Sequence, residues 1–213
     1  MPITITSKST YEEVRDFVLS FFIDFLINEN YEKKFHLHPL GFYYSRIFNS
    51  ENEQLRIHIW NKNYKQKDDL YIHDHYYDLN SWILLGKIKD TLYDVSIKEN
   101  CGELILYQGS YNDDENYRYL NPSNLFCNIL NKEERIFSKG ESYFIKKNQY
   151  HSNEIIFENS EYTCTLVLTQ NPNIIHSPNV LGKLKQDKII EEVPTLIEYT
   201  DMKLIIDSII NKI

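Results

Sequence analysis

Three histidines are the residues of this chain best suited to chemistry. His73 and His75 stand one residue apart in "YIHDHYYDLNSWILLGKIKDTLYD", and His151 lies far downstream. In an extended segment, side chains at i and i+2 share a face. His73 and His75 are thus expected to present their imidazoles together, beside Tyr71 and Tyr77, with Asp74, Tyr76 and Asp78 turned away. Two imidazoles at that spacing grip a metal ion from one strand and need a third ligand from elsewhere. His151, which opens a strand after "KGESYFIKKNQY", is the candidate. A second pair, His36 and His38 in "HLH", has the same spacing but precedes Pro39, with no apolar run closing on glycine behind it. It is set aside as the metal pair.

Other residues gather around this constellation. "LRIHIW" aligns Arg56, His58 and Trp60 on one face, where His58 is either a substrate contact and acid/base group or a packed strand histidine. Tyr77 and Tyr150 flank the ligands, placed to donate a hydrogen bond to a substrate. Cys164 is expected near the site by alternation along its strand, and His176 reads as a surface residue.

The elements that must hold these groups are mostly strands. Between about residues 42 and 170, eight short runs rich in β-branched and aromatic residues alternate with polar turns such as "NSENEQ", "KENCG" and "SKG". That pattern predicts a sandwich or barrel of the jelly-roll type. Residues 9–28 read as an amphipathic helix, with Thr10 and Glu13 at capping-box spacing and a stripe of Val14, Phe17, Val18, Phe21, Phe22, Phe25 and Leu26. A short terminal helix is expected too, capped by Thr200 or Asp201, with Leu204, Ile205, Ile209 and Ile213 on one stripe. One domain over 1–213 is expected: a helical region at 1–40, a β core at 41–170 and a C-terminal extension at 171–213.

The arrangement resembles the cupin family, whose first motif places H-x-H before a closing Gly and whose second is a Gly turn leading to one more His. His73, His75 and Gly86 match the first; Gly140 and His151 match the second. The family's usual Glu falls on Leu79 or Asn80, which reads as three histidines without a carboxylate. Within the cupins, "YSR" at 44–46, "IHDH" at 72–75, "LLGKIKDTLYD" at 84–94 and His151 are most similar to cysteine dioxygenase and related thiol dioxygenases. These pieces span about half the chain.

The resemblance implies a single-domain cupin barrel binding Fe(II), with Arg46 holding a substrate carboxylate as a bidentate fork. It implies a dioxygenase acting on a small thiol or amino-acid-like substrate together with dioxygen. Tyr150 and His58 would be its catalytic residues, and Arg46, Tyr44, Arg56, Tyr77 and Cys164 would line its substrate. Two departures stand out. The crosslinking Cys of the animal-type enzymes falls on Asn80, and their S-x-H-x-Y triad falls on Cys164, Leu166 and Leu168. Two other readings therefore stay open. One is a three-His lyase, isomerase or bond-forming enzyme using Fe, Zn, Ni or Mn; the other is a non-catalytic cupin that binds a small molecule.

Composition narrows the partners. A net charge of −8 argues against nucleic acid or an anionic membrane surface. Asp24 interrupts the longest apolar stretch, "FVLSFFIDFLI", which is too short to span a bilayer. The first ten residues lack the pattern of a signal peptide. Three cysteines without C-x-x-C spacing fit a reduced, cytoplasmic protein. By family analogy a homodimer is allowed.

Overall fold

The computed structural model describes residues 4–38, 41–64, 72–112, 117–158, 160–173, 177–183, 190–192 and 194–213. Tyr71 and His176 lie outside them. Helix α1 (Tyr11–Ile27) is followed by β1 (Phe35–His38), β2 (Phe42–Asn49), β3 (Glu53–Asn61), β4 (Ile72–His73), β5 (Asp78–Leu85) and β6 (Lys87–Lys98). Next come β7 (Leu104–Asn112), β8 (Tyr117–Ser138), β9 (Ser142–Ile145), β10 (Tyr150–Ile156) and β11 (Tyr162–Gln170). The chain ends with β12 (Asn179–Gly182), β13 (Ile190–Glu192), β14 (Thr195–Leu196) and α2 (Tyr199–Ile209), which runs into a 3₁₀ turn.

The strands form two antiparallel sheets. The first has the order β14-β1-β2-β3-β11-β5-β9 and the second β13-β8-β6-β10-β4-β12-β7, which a β7–β8 pairing closes on itself. This is the mainly β, helix-flanked architecture expected of a cupin-type barrel. Gly86 is the corner where the chain leaves the first sheet for the second. Its φ is +84°, and a Cβ there would stand 2.3 Å from Thr163 Oγ1, so only glycine serves.

Strand alternation sorts the apolar residues into three layers. Val14, Val18, Phe21, Phe22 and Phe25 of α1, with Met202, Ile205, Ile206 and Ile209 of α2, cover one face of the first sheet through Ile57, Ile59, Leu166 and Leu168. Between the sheets lie Trp60, Leu79, Ile83, Ile88, Tyr143 and Val167. On the far face of the second sheet, Ile72, Tyr93, Leu104, Leu106, Cys127 and Leu181 fill the space enclosed by the β7–β8 closure. Each buried aromatic or aliphatic side chain contributes about 1.5–3 kcal/mol through removal from water.

The N-terminal helix starts at its expected cap: Thr10 Oγ1 accepts from Glu13 N, and the Glu13 carboxylate accepts from Thr10 N. The terminal helix differs from expectation. Its cap is Glu198, with no side-chain bond. Leu204 is 70% exposed, and Met202 and Ile206 take the buried stripe with Ile205 and Ile209. β8 and β12 occupy stretches that carry no clear strand signal in the sequence.

Candidate metal centre

His73 and His151 face each other across the β4–β10 ladder as a register pair. The His73 and His151 ring centroids are 4.7 Å apart, those of His73 and His75 4.8 Å, and those of His75 and His151 5.1 Å. One ligand nitrogen from each of the three lies within 4.8 Å of the others. Among the described residues no other such group of three or more His, Cys, Asp or Glu occurs.

The H-x-H segment is not the continuous strand its spacing suggests. β4 ends at His73, and His75 sits in an irregular stretch. Hydrogen bonds hold that stretch instead. The buried Asp74 carboxylate accepts from Asn179 N at 2.6 Å and from Asn179 Nδ2 at 2.7 Å, and Asn148 N donates to the His75 carbonyl at 2.8 Å. Asp74 thus turns away from the cluster, as alternation requires, and clamps the backbone between the two imidazoles. Asp78 also points away, accepting from Lys147 N and Asn171 Nδ2.

A residue that sequence reasoning passed over completes the arrangement. Asp90 on β6 is fully buried and lies on the same face as His151. Its Oδ1 stands 2.9 Å from His151 Nδ1, and its other oxygen is paired with the Arg135 guanidinium. A carboxylate at that distance accepts a hydrogen bond from Nδ1–H, so the proton stays on Nδ1 and His151 Nε2 presents its lone pair to the cluster. That Nε2 is 3.0 Å from His75 Nε2. Two imidazole nitrogens bound at right angles at about 2.1 Å from one ion stand about 3.0 Å apart. The donor set fits a divalent ion of the kind nitrogen ligands favour.

The wall opposite comes from β3. Arg56, His58 and Trp60 share one face, as expected, and Trp60 belongs to the core between the sheets. His58 keeps some surface toward the interior but is enclosed by protein; that burial, with the Arg56 charge second, pushes its pKa down to about 3. It is therefore neutral at neutral pH. Burial and then the neighbouring His73 and His151 hold His75 well below the usual histidine range, with smaller contributions from Arg56 and His58. Tyr77 stacks on His75 with centroids 4.8 Å apart and planes 15° from parallel. Tyr44 pairs in register with His58 and is buried.

Several expected site residues sit elsewhere. Cys164 packs with Ile57, Ile59 and Leu166 under the helices, on the face of the first sheet turned away from the histidines, and burial pushes its thiol pKa up. Leu166 and Leu168 share that face, so the positions matching the family triad all miss the site. Tyr150 follows the same logic. It neighbours His151 in sequence and thus points to the opposite face, where it pairs with Tyr93 and packs beside Ile72 and Cys127. Arg46, in register with Arg56, is by contrast on the face of the first sheet that looks at the histidines; it is exposed, with its guanidinium 6.0 Å from the Tyr44 ring centre. His36 stacks on Tyr44 and His38 on Phe42, which places both in an aromatic wall of β1 and β2.

No family model matches the chain, and no curated protein matches it in sequence. Solved structures with some likeness include HppE in its Fe(II) form, at 11% identity and a TM-score of 0.40 over 65% of this chain and 56% of that one. Oxalate decarboxylase of Lactobacillus farciminis in a formate complex matches at 9% identity and 0.38, over 66% of this chain and 31% of that one. KdgF from Halomonas sp. matches at 9% and 0.36, over 70% and 95%. This chain thus spans little more than half the length of the first. Likeness at this level carries no argument about activity, and the reading of the site rests on its own geometry.

Proposed function

We propose that the chain is a mononuclear, non-haem metalloenzyme of cupin type, with His73, His75 and His151 as ligands and Fe(II) as the ion. The reaction we favour is oxygenation of a small thiol or amino-acid-like substrate. One observation carries the reading: three imidazoles, from β4, the irregular stretch after it and β10, converge between the sheets, and buried Asp90, paired with Arg135, fixes the tautomer of His151. Three neutral ligands would leave Fe(II) with open coordination positions and undiminished charge, which suits joint binding of an electron-donating substrate and dioxygen.

The protein's own residues divide the remaining work. Asp90 holds the Nδ1 proton of His151 and orients the ring. Tyr77 supports the His75 ring from one face. His58, neutral and facing the cluster from β3, can accept or donate a proton at an imidazole nitrogen without adding charge. Trp60, Val167 and Ile83 exclude bulk water from the space between the sheets.

A second reading is a three-His lyase or isomerase using Zn, Ni or Mn. It is favoured by the placement of Cys164, Leu166 and Leu168 beneath the helices, which leaves the thiol-dioxygenase triad without a counterpart at those positions.

The test is metal content per chain after anaerobic reconstitution with mixed divalent ions, on wild type and His151→Ala, followed by oxygen uptake with thiols and amino acids. About one iron per wild-type chain, lost in the variant, with substrate-dependent oxygen uptake, is the expected outcome. Full occupancy by Zn, Ni or Mn without uptake would replace it with the lyase reading. Wild type that binds no ion would sink both.

A further inference from the structure

The inward faces of β1, β2 and β3 carry a continuous layer of rings with Phe42 at its hub. Register sets His38 and Trp60 on either side of Phe42, and His36 and His58 on either side of Tyr44. His38 stacks on Phe42 with centroids 4.5 Å apart and planes 10° from parallel. Phe42 also meets His58 at 4.8 Å and Trp60 at 5.4 Å, and His36 stacks on Tyr44 at 5.5 Å. The layer runs up to the metal centre. Tyr77, stacked on His75, packs with Phe42 against the cluster that holds Trp60.

Cross-strand ring pairs also stabilise sheets, so the two faces of these strands must be weighed against each other. On the outward face Phe35, Tyr43, Ser45, Ile57 and Ile59 are all 5% exposed or less. On the inward face only Tyr44 and Trp60 are buried, while His36, His38, Phe42 and His58 stay half-exposed although they look into the fold. A face that served packing alone would be covered, and would not use imidazoles, which lose solvation on burial. Open ring faces arranged in steps suit another flat ring, which pairs offset-stacked or edge-to-face at about 4.5–7 Å between centroids.

Charge narrows the ligand. The described inward positions of β1 to β3 include Arg46 and Arg56 and no carboxylate. Burial, with Arg46 second for His36 and Arg56 second for His58, lowers the pKa of both imidazoles and keeps them neutral. A cation would favour aromatic faces elsewhere, but here it would meet two guanidinium charges.

Resting on the metalloenzyme reading above, we infer that this layer is the substrate-recognition wall, and that the substrate carries an uncharged aromatic or heteroaromatic ring laid against Phe42 between His38 and His58. The thiol or amino-acid-like class is thereby narrowed to members with a flat ring, whose reacting end reaches toward His75.

Ligand-observed NMR titration tests this with benzyl alcohol, its saturated counterpart cyclohexylmethanol and benzylammonium, on apo and metal-loaded protein. The variants are Phe42→Leu, His38→Leu and, at the far edge of the sheet, Phe144→Leu, with circular dichroism to check folding. Benzyl alcohol should bind wild type about three- to tenfold tighter than cyclohexylmethanol, the range ring contacts supply, and tighter than benzylammonium. Phe42→Leu and His38→Leu should each lose about threefold or more of that preference, and Phe144→Leu, whose ring is 49% exposed, should keep it. Equal affinity for the two alcohols, benzylammonium binding as tightly as benzyl alcohol, a preference retained in both layer variants, or equal loss in Phe144→Leu would each overturn the wall. Should Phe42→Leu fail to fold, His38→Leu and the wild-type comparison still decide. Metal content is measured on the same samples. Ring-selective binding in a protein that takes up no ion would uphold the wall and sink the metal reading alone. Full metal uptake without ring preference would do the reverse.

Discussion

The two faces of β3 and β11 are made by the same residues in alternation, and they have opposite characters. Leu55, Ile57, Ile59, Cys164, Leu166 and Leu168 lie under the helices in an apolar layer. Arg56, His58, Thr163 and Thr165 point the other way, toward the metal centre, and the last two keep unpartnered hydroxyls. One face is an apolar layer packed under the helices; the other carries charged and polar side chains. A shift of one residue would exchange them. Stability and chemistry are thus separable here by parity, although they share two strands.

Substitutions on each face should respect that separation. Leu166→Ala should cost about 2–5 kcal/mol in unfolding free energy, the usual range for a fully buried leucine, with metal stoichiometry unchanged. Denaturant unfolding beside metal analysis checks it; a variant that folds well but binds no metal would break the division. Asp90→Asn keeps shape but removes the charge that orients His151. It should weaken metal affinity about 10- to 100-fold, as loss of a carboxylate behind a ligand imidazole does. Competition with a chelator reads this, and unchanged affinity would show that packing alone sets the ring.

Acid sharpens the contrast. His58 has a native pKa of about 3 against 6.5 when unfolded, so the unfolded state binds more protons between those values. Its contribution to stability is complete above about pH 6.5 and is lost as pH falls toward 3. His75, also lowered, works in the same direction. His58→Gln should therefore unfold less steeply on acidification than wild type, though His75 keeps part of the slope. Superimposable pH profiles would remove His58 from the account. The smallest effect belongs to the helix layer: Thr10→Ala should cost about 1 kcal/mol through the lost cap and leave metal binding untouched.

Much of this was legible in the sequence, for physical reasons that also explain the failures. The helix at 11–27 and most strands follow from local periodicity and turn chemistry. β8 is held by pairing to three strands, and many of its side chains are exposed or half-exposed, so it lacks the apolar alternation that marks a strand. The histidine pair was legible as a shared face, but the cause lies in the Asp74–Asn179 clamp, whose partners are 105 residues apart. Asp90 was invisible for a similar reason: its meaning depends on a ring 61 residues away. Cys164 and Tyr150 show a different error: Tyr150 was placed at the site by its closeness along the chain to His151, and Cys164 by an alternation assigned to the wrong face of its strand. Parity decides such cases, and it requires knowing which face is covered.

The long reach between His75 and His151, 76 residues along the chain, carries a consequence for how the protein assembles. β4 is two residues long and exists only between β10 and β12, so its ladder must await distant partners, and such non-local pairing is slow to form. An ion bound as proposed would contribute its binding energy to the finished state and not to the folding barrier. Metal should act as a latch. Starving the protein of it should shorten its lifetime against unfolding and leave its rate of folding nearly unchanged.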